Sequence, residues 1–329
     1  MRNSDIILVG KSHYFKPYLN ELKIIFESMS HSVTLTETYQ NEPADLVIVI
    51  NPLKQYPYLR FKKSKTIYAC IQTEQLYHEN IGGYQMTWHY VKRLKSIHKR
   101  YDLIFDWSHG HVTAFKRKYP KFEYVPHGVF DALKPPSPIP SSKEYDLFFV
   151  GNPTGIDQRR AKLLKRLKEK YTLNPNQEDL WGEDKFLAMS KAKICLNIHF
   201  DHSLCFESPR LYEYFHNKCF VLSEFISDST PFVDGEDFIA FDESNIESLI
   251  DYYLNHEDEM DKIAENAFLK AQNYPLEKTA FKMLQYARVS LNSKSMSSFK
   301  VQSSYYWEKL MKSLKPLKKN LIKLIKKNR

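Results

Sequence analysis

The sequence predicts an α/β protein with two doubly wound domains, each built around a mostly parallel sheet. Its 329 residues suit two domains of roughly 150 residues, each with its own core. Short apolar runs alternate with amphipathic stretches, as strands alternate with helices in such domains. The pattern also restarts midway, because residues 146–151 (DLFFVG) repeat the length, leading acid and closing glycine of residues 5–10 (DIILVG).

The first half of the chain contains continuous apolar runs bounded by polar turns, which are typical of strands buried on both faces of a sheet. These predicted strands are residues 5–10, 32–38, 44–51, 65–71 and 101–107. Amphipathic stretches predict helices at residues 14–29 and 85–99. We therefore expect residues 1–128 to form an N-terminal Rossmann-like domain.

Five prolines between Pro126 and Pro140 exclude a regular helix there and predict a linker at residues 129–144. After the linker, strands are predicted at residues 146–151, 192–198, 219–223 and 237–241, and helices at 157–171, 208–216, 246–255 and 257–273. Residues 145–290 then form a second Rossmann-like domain, and residues 291–308 a connecting crossover segment. Two such domains face each other across a cleft, where ligands bind outside the carboxyl ends of the strands.

The four cysteines show no zinc-type spacing, and three of them lie in or beside apolar runs. This pattern favours reduced, buried thiols over disulfides and indicates a cytoplasmic protein. No cleavable signal pattern opens the sequence, and no stretch approaches the roughly 20 apolar residues of a membrane span. The loop at residues 149–155 (FVGNPTG) lacks a Gly-Lys-Ser/Thr ending and residues 5–15 hold one glycine, so neither a triphosphatase nor a dinucleotide-binding enzyme is indicated.

The net charge of +9 comes entirely from the last 21 residues. Residues 309–329 contain nine Lys and Arg and no acidic residue, with leucines at helical spacing. A basic amphipathic helix of this kind suits an anionic bilayer surface, so we expect a peripheral location on the inner membrane face. Packing of this helix against the protein body is the alternative. Nucleic-acid binding is disfavoured, because the rest of the chain carries no basic excess.

The segment most informative about function is residues 193–224, KICLNIHFDHSLCFESPRLYEYFHNKCFVLSE. It contains a strand ending in LNIH, an E-x-x-R-x-x-E helix and a strand ending in SE. An f-x-d-G-x-d pattern follows, carried by Phe232, Asp234, Gly235, Asp237 and Phe241. In this segment the chain resembles the two-domain GT-B glycosyltransferases of the family-1 group, in particular the spore-maturation-protein-like branch. The resemblance spans about residues 146–286 and extends to the N-terminal half only in outline.

The helix of this motif supplies three candidate donor-site residues. Glu207, Arg210 and Glu213 are three residues apart and therefore share one face near a helix N-terminus. That terminus and Arg210 suit a diphosphate, and a carboxylate such as Glu213 can accept both hydroxyls of a ribose. Leu211, inside the motif, is included in the predicted donor site. The alternative is a salt bridge that only stabilises the helix.

The resemblance also leaves the stereochemistry of transfer open. Many retaining enzymes of this superfamily carry two glutamates separated by seven residues, the second of which contacts the ribose. Glu213 matches the second position, but Cys205 stands at the first and Glu207 is out of register.

Further donor-site candidates lie at the ends of predicted strands in the second half. The resemblance places the glycine turn of Gly151 and Asn152, and the arginines that follow, near the donor phosphates. Asn197 and His199 end a buried strand that points toward the cleft, where a histidine can bond phosphate or sugar. The complete set is Gly151, Asn152, Arg159, Arg160, Asn197, His199, Glu207, Arg210, Leu211 and Glu213. The alternatives are a solvated helix start for the arginines and a capped strand end for His199.

In the N-terminal half, Glu74 follows one predicted strand, Asp106 and His109 end another, and all three are expected at the cleft mouth. If the enzyme inverts the anomeric centre, one of them is the base that deprotonates the acceptor hydroxyl. If it retains the configuration, no such base is required, and positioning and leaving-group stabilisation carry the reaction. Polar residues at strand ends are the simpler interpretation.

The sequence thus predicts a glycosyltransferase that moves a sugar from a nucleoside-diphosphate donor of the UDP or GDP type to an acceptor hydroxyl. The expected acceptor is a surface glycan or a lipid-linked saccharide at the inner membrane face. No DxD loop suggests a bound metal, so neither a metal nor another cofactor is expected. Two alternatives remain: a nucleotide-sugar epimerase of the same fold, and a catalytically silent partner subunit.

Overall fold

The computed structural model describes residues 3–56, 59–61, 65–80, 83–86, 88–134, 142–154, 158–175, 178, 180–200 and 204–294. The proline run at residues 135–140, the end of the predicted crossover segment (295–308) and the basic tail (309–329) lie outside the described residues.

The N-terminal half contains a six-stranded sheet in which every neighbouring pair is parallel. Its strands are β1 (Asp5–Val9), β2 (Ser32–Thr36), β3 (Leu46–Ile50), β4 (Ile67–Gln72), β7 (Leu103–Asp106) and β8 (Phe122–Tyr124), in the order β2-β1-β3-β4-β7-β8. A separate antiparallel hairpin comprises β5 (Tyr77–Asn80) and β6 (Gly83–Met86). The helices of this half are α1 (Lys16–Ser28), α2 (Trp88–Arg100) and α3 (His109–Phe115), and a 3-10 turn, His13–Phe15, precedes α1.

The central strands of this sheet are apolar because helices cover both of its faces. All five residues of β3 and all six of β4 are buried. Leu22 and Phe26 of α1 pack on one face, while Leu94 and Ile97 of α2 pack on the other. Continuous burial explains why these strands read as unbroken apolar runs rather than alternating ones.

The C-terminal half repeats this architecture with a four-stranded parallel sheet. Its strands are β9 (Tyr145–Phe148), β10 (Ala192–Asn197), β11 (Phe220–Glu224) and β12 (Ile239–Phe241), in the order β12-β11-β10-β9. Its helices are α4 (Arg159–Lys168), α5 (Gly182–Ser190), α6 (Ser208–His216), α7 (Ile246–Leu254) and α8 (Glu257–Gln272), and a second 3-10 turn, Asp131–Leu133, lies between the halves. The prediction of two Rossmann-like α/β domains is confirmed.

A last helix, α9, whose described part covers residues 276–294, returns from the second half to the first. Leu276, Met283 and Leu284 are buried in the same apolar cluster as the N-terminal sheet. The hydroxyl of Thr279 donates to the carbonyl of Pro126 at 2.8 Å. The division of the chain into domains stays a prediction, but the packing of this helix favours a crossover that begins earlier than residue 291.

Among the helices of the described ranges, none is both long and apolar enough to cross a bilayer. All four cysteines lie in the described part of the chain, and none forms a disulfide.

Candidate active site

The carboxyl ends of the two sheets face each other, and most of the predicted site residues lie there. In the C-terminal half, polar residues follow β9, β10 and β11, and α6 begins beside them. In the N-terminal half, the ends of β4 and β7 supply the opposite wall. Direct contacts cross the gap, since the Ser208 hydroxyl donates to the carbonyl of Trp107 at 3.1 Å.

Helix α6 places a buried ion pair at its N-terminus. Glu207 is the N-cap residue and Pro209 lies in the first turn, a position that suits proline because it needs no amide hydrogen there. The Glu207 carboxylate pairs with Arg210, whose Nη1 also donates to Oδ1 of Asn197 at 2.8 Å. Their side chains are 12% and 14% exposed. The motif therefore turns inward, and its first ion pair belongs to the cleft rather than to a solvated helix surface.

The charge of Glu207 is strongly stabilised by its neighbours. Burial by itself raises the pKa of this carboxyl, but Arg210, His199 and Arg160 together hold it at about 2. The carboxylate is therefore ionised near neutral pH and compensates several cations at once.

Glu213 forms the second ion pair of α6, with a residue that the sequence analysis missed. Nζ of Lys185, on α5, lies 2.5 Å from Oε1 of Glu213, and both side chains are nearly buried. Burial raises the pKa of Glu213, and Lys185 and Arg210 only partly oppose this. The local sequence does not indicate a role for Lys185, because α5 is short and Lys185 contacts Glu213 only when α5 and α6 are packed in the folded protein.

The turn after β9 brings backbone close to the arginines. Gly151 has φ +132°, and a Cβ at this position would lie 3.2 Å from Nη2 of Arg210. Arg160 is buried and donates to the carbonyls of Ile198, His199 and Asn152. Burial, and then the charge of Arg210, lowers the pKa of Arg160 to about 10. Arg160 therefore ties the ends of β9 and β10 together with its hydrogen bonds.

Arg159 and His199 complete this network through Glu224, the last residue of β11. Arg159 pairs with the carboxylates of Glu224 and Glu243, and the His199 amide donates to Glu224 at 2.6 Å. The His199 ring contacts Oε1 of Glu207 through Nδ1 and the carbonyl of Phe225 through Nε2, both at 3.2 Å.

Three predicted donor residues occupy different surroundings. Asn197 is fully buried and donates to the Ser223 hydroxyl at 2.9 Å. Asn152 is exposed, and its side chain caps Thr154. Leu211 is fully buried in the apolar core of the C-terminal half, so it packs there and does not line the cleft.

The three residues predicted on the N-terminal wall differ in their hydrogen bonds and in their exposure to solvent. Asp106 is buried and accepts from Gln72, the Ser108 amide and the His111 ring. Glu74 pairs with Lys54 at 2.7 Å and is mostly covered. His109 remains partly open to solvent.

His111, which the sequence analysis did not single out, links the two halves. Its Nε2 lies 3.1 Å from Sγ of Cys205 and accepts from the Leu76 amide at 3.2 Å. Its Nδ1 lies 3.1 Å from both carboxylate oxygens of Asp106. Cys205 packs within the apolar cluster of the N-terminal half, so this residue of the second half has an interdomain packing role.

Aromatic rings also meet across the cleft. Trp181, just before α5, packs edge-on against His13 and Tyr14, with ring centroids 5.1 and 5.6 Å apart. Although the Tyr14 side chain is 44% exposed, burial around its hydroxyl, and then the charge of Glu213, raises the pKa of Tyr14. The 3-10 turn before α1 therefore faces the Arg210–Glu213 end of α6.

Within the described ranges, no group of three or more His, Cys, Asp or Glu side chains is placed to hold a metal ion.

Comparison with known proteins extends these observations. Residues 149–285 match the family model described as glycosyl transferase-like, and no curated protein sequence matches the chain. The fold is similar to that of sucrose-phosphate synthase from Thermosynechococcus elongatus, with a TM-score of 0.60 and 11% identity over 88% of this chain and 100% of that one.

Two further solved structures share the fold. Alr3699/HepE from Anabaena, in complex with UDP-glucose, gives a TM-score of 0.57 at 13% identity and covers 88% of this chain and 100% of its own. TarM gives 0.53 at 12% identity, over 74% of this chain and 54% of TarM, so the chain spans about half the length of that protein. The chain therefore has the GT-B fold, and its residues 149–285 match the glycosyl transferase-like family model.

Proposed function

We propose that this protein is a glycosyltransferase that moves a sugar from a nucleoside-diphosphate sugar to an acceptor hydroxyl. One observation carries the proposal: α6 directs Arg210 and Glu213 inward at the carboxyl ends of a parallel sheet, inside the region that matches the glycosyl transferase-like family. Helix N-termini and arginine side chains at such an edge favour a diphosphate. The motifs of residues 193–224 support the spore-maturation-protein-like branch of the family-1 group.

We propose a donor of the UDP type, held mainly by the C-terminal half. In the described part of the chain, every hydrogen bond of the Arg210 guanidinium to another residue uses Nη1, which leaves Nη2 for a phosphate oxygen. Glu213 meets the ribose hydroxyls when Lys185 releases it. The complex of Alr3699/HepE with UDP-glucose supports this choice over a GDP sugar.

Calorimetric titration with UDP and GDP tests the donor site. Glu213→Ala should weaken UDP binding about tenfold or more, because bonds to charged groups contribute about 1.5–3 kcal/mol. Glu169→Ala, an exposed glutamate at the end of α4, is the matched control and should bind UDP like the natural protein. Unchanged affinity in Glu213→Ala would remove this residue from the donor site.

For the acceptor we propose a surface polysaccharide or glycolipid at the inner membrane face, with the protein held there by residues 309–329. The support is the charge pattern of the tail. Deleting residues 309–329 should abolish cosedimentation with anionic vesicles and leave UDP binding intact. Equal sedimentation of the full and shortened chains would refute the role of the tail, and neutral vesicles provide the background.

We also propose that transfer needs no metal ion, because the α6 terminus and Arg210 offer positive charge to the leaving diphosphate. Turnover should survive chelation by EDTA, and a rate restored only by Mg²⁺ or Mn²⁺ would contradict this.

A catalytically silent partner subunit is the second candidate, favoured by Cys205 at the family's first glutamate position. Product analysis separates the possibilities. Transfer to an acceptor supports the glycosyltransferase, whereas UDP binding without turnover supports the silent subunit. A changed sugar without any acceptor indicates an epimerase.

A further inference from the structure

His109 is the most exposed of the three polar residues predicted on the N-terminal wall of the cleft. It is the first residue of α3, and its backbone is fixed on both sides. The Ser108 hydroxyl caps the helix by accepting from the His111 amide at 3.3 Å, and the Ser108 amide donates to Asp106 at 2.8 Å. The His109 ring packs edge-on against Tyr124 at 5.3 Å.

Asp228, from the loop after β11 in the opposite half, reaches this ring across the cleft. Its Oδ2 lies 2.8 Å from Nδ1 of His109, and the two side chains are 24% and 40% exposed. Its other oxygen, Oδ1, accepts from the Thr230 amide at 3.1 Å. Burial raises the pKa of Asp228, but the bonds from His109 and Thr230 lower it below its ordinary value, so the carboxylate is an acceptor only.

An acceptor at Nδ1 fixes the tautomer of a neutral imidazole. The hydrogen lies on Nδ1, and Nε2 presents a lone pair. Within the described residues, no hydrogen bond engages Nε2 of His109. The neighbouring candidates differ, because Asp106 is bonded to His111 and Glu74 to Lys54.

The position of the His109–Asp228 pair relates it to the proposed donor site. Trp107, two residues before His109, accepts a hydrogen bond from Ser208, the first residue of α6. Ser208 directly follows Glu207, which pairs with Arg210. His109 therefore lies on the wall that adjoins the start of α6.

We propose that Nε2 of His109 accepts a hydrogen bond from a substrate hydroxyl, and that Asp228 is the positioning residue that fixes the ring for this contact. The inference rests on the proposed function and deepens it. Because the two residues come from different halves, the contact forms only when the halves are close.

Asp228→Asn tests the proposal, because the Thr230 amide decides how the new side chain is oriented. The amide oxygen pairs with the Thr230 N–H, which turns the NH₂ group toward Nδ1 of His109. The ring hydrogen then moves to Nε2, so an acceptor becomes a donor. Nitrogen-15 spectra of histidine-labelled protein, assigned with His109→Gln, should show this exchange.

Turnover should fall about tenfold or more in Asp228→Asn, with the affinity for UDP unchanged, because a wrong tautomer leaves geometry intact but removes the contact. Asp228→Glu, which keeps a carboxylate, should recover part of the rate. Asp261→Asn, an exposed aspartate on α8, controls for the charge change.

The arms of the experiment distinguish the source of the hydroxyl. Equal losses in transfer and in hydrolysis of UDP-glucose assign it to the transferred sugar, and a loss in transfer alone assigns it to the acceptor. An unchanged tautomer or an unchanged turnover number in Asp228→Asn overturns the proposal. If the natural protein binds UDP without turnover, the proposed transfer fails separately. The Nε2 resonance of His109 must then move on adding UDP-glucose or an acceptor saccharide, or the contact is also refuted.

Discussion

At the scale of single residues, the donor side of the cleft is organised by charge compensation. Glu207 meets Arg210 and His199 directly and lies 3.8 Å from Nη2 of Arg160. Buried cations and anions are tolerated only when each has a partner. In the proposed complex, a diphosphate enters a network that is already balanced: Arg210 keeps Glu207 through Nη1, and Nη2 is the group that meets a phosphate oxygen.

The first prediction concerns the pH dependence of Glu207. Its folded pKa of about 2 lies below its ordinary 4.5, so its stabilisation is present above pH 4.5 and is lost as the pH falls toward 2. Glu207→Gln should cost on the order of 3 kcal/mol near neutral pH, and this difference should fall to roughly half at pH 3. Urea denaturation at both pH values measures it. A difference independent of pH would contradict the assignment, and Glu169→Gln is the control.

The second prediction concerns Gly151, whose φ of +132° favours glycine and whose Cβ would approach Arg210. Gly151→Ala should cost about 1–3 kcal/mol of unfolding free energy through backbone strain and should also weaken UDP binding. Gly235→Ala is the matched control, because Gly235 has φ +83° with no atom within 4 Å of its Cβ position. That variant should lose stability but keep UDP affinity. Equal UDP affinity in the two variants would separate Gly151 from the site.

The residue scale also shows what the sequence can and cannot predict about the site. Spacing alone predicted that Glu207 and Arg210 share a helix face, because that relation is local. The partner of Glu213 was not predictable, since Lys185 lies on another helix 28 positions earlier. Leu211 was included through the motif, yet its position on α6 turns it into the core.

At the scale of elements, long apolar strands were predicted well and short or weakly patterned elements were not. The predicted helix at residues 208–216 coincides with α6, and the strand at 44–51 contains β3 (Leu46–Ile50). Missed elements include β8, α3 and α5, each nine residues or shorter. Strand β8 lies a few residues before the predicted linker. It is a short edge strand whose pairing with β7 depends on the folded sheet, so the local sequence does not predict it.

Helix α9 supplies the third prediction, because its apolar face is complementary to a sheet formed more than 100 residues earlier. Met283 is fully buried in that N-terminal core. Met283→Ala should lower the free energy of unfolding by about 2–5 kcal/mol through the cavity it leaves. Val289→Ala on the same helix, where the side chain is 65% exposed, should change it by less than about 0.5 kcal/mol. Equal effects in urea denaturation would indicate that the helix does not belong to this core.

At the scale of the whole molecule, contacts at separate places hold the two halves together. Cys205 extends from the second half into the apolar cluster of the first and meets His111. Trp181, in the second half, packs on His13 and Tyr14 of the first half. These contacts bridge the cleft between the halves, and we expect them to separate when the cleft opens.

The last prediction uses Cys205 as a reporter of that separation. Its thiol is buried between the halves, whereas the buried Cys70 lies within β4 of the N-terminal sheet. Removing the Trp181 ring deletes two edge-on aromatic contacts, worth about 1 kcal/mol in all for partly exposed rings, so Trp181→Ala should speed thiol labelling of Cys205 about fivefold. Mass spectrometry of the labelled peptides follows both cysteines, and Cys70 should label at an unchanged rate. Leu187→Ala, at another exposed apolar position of the same half, should alter neither rate. Acceleration of both cysteines would mean that Trp181 stabilises the N-terminal half itself, and no acceleration would mean that the aromatic contact does not hold the cleft closed.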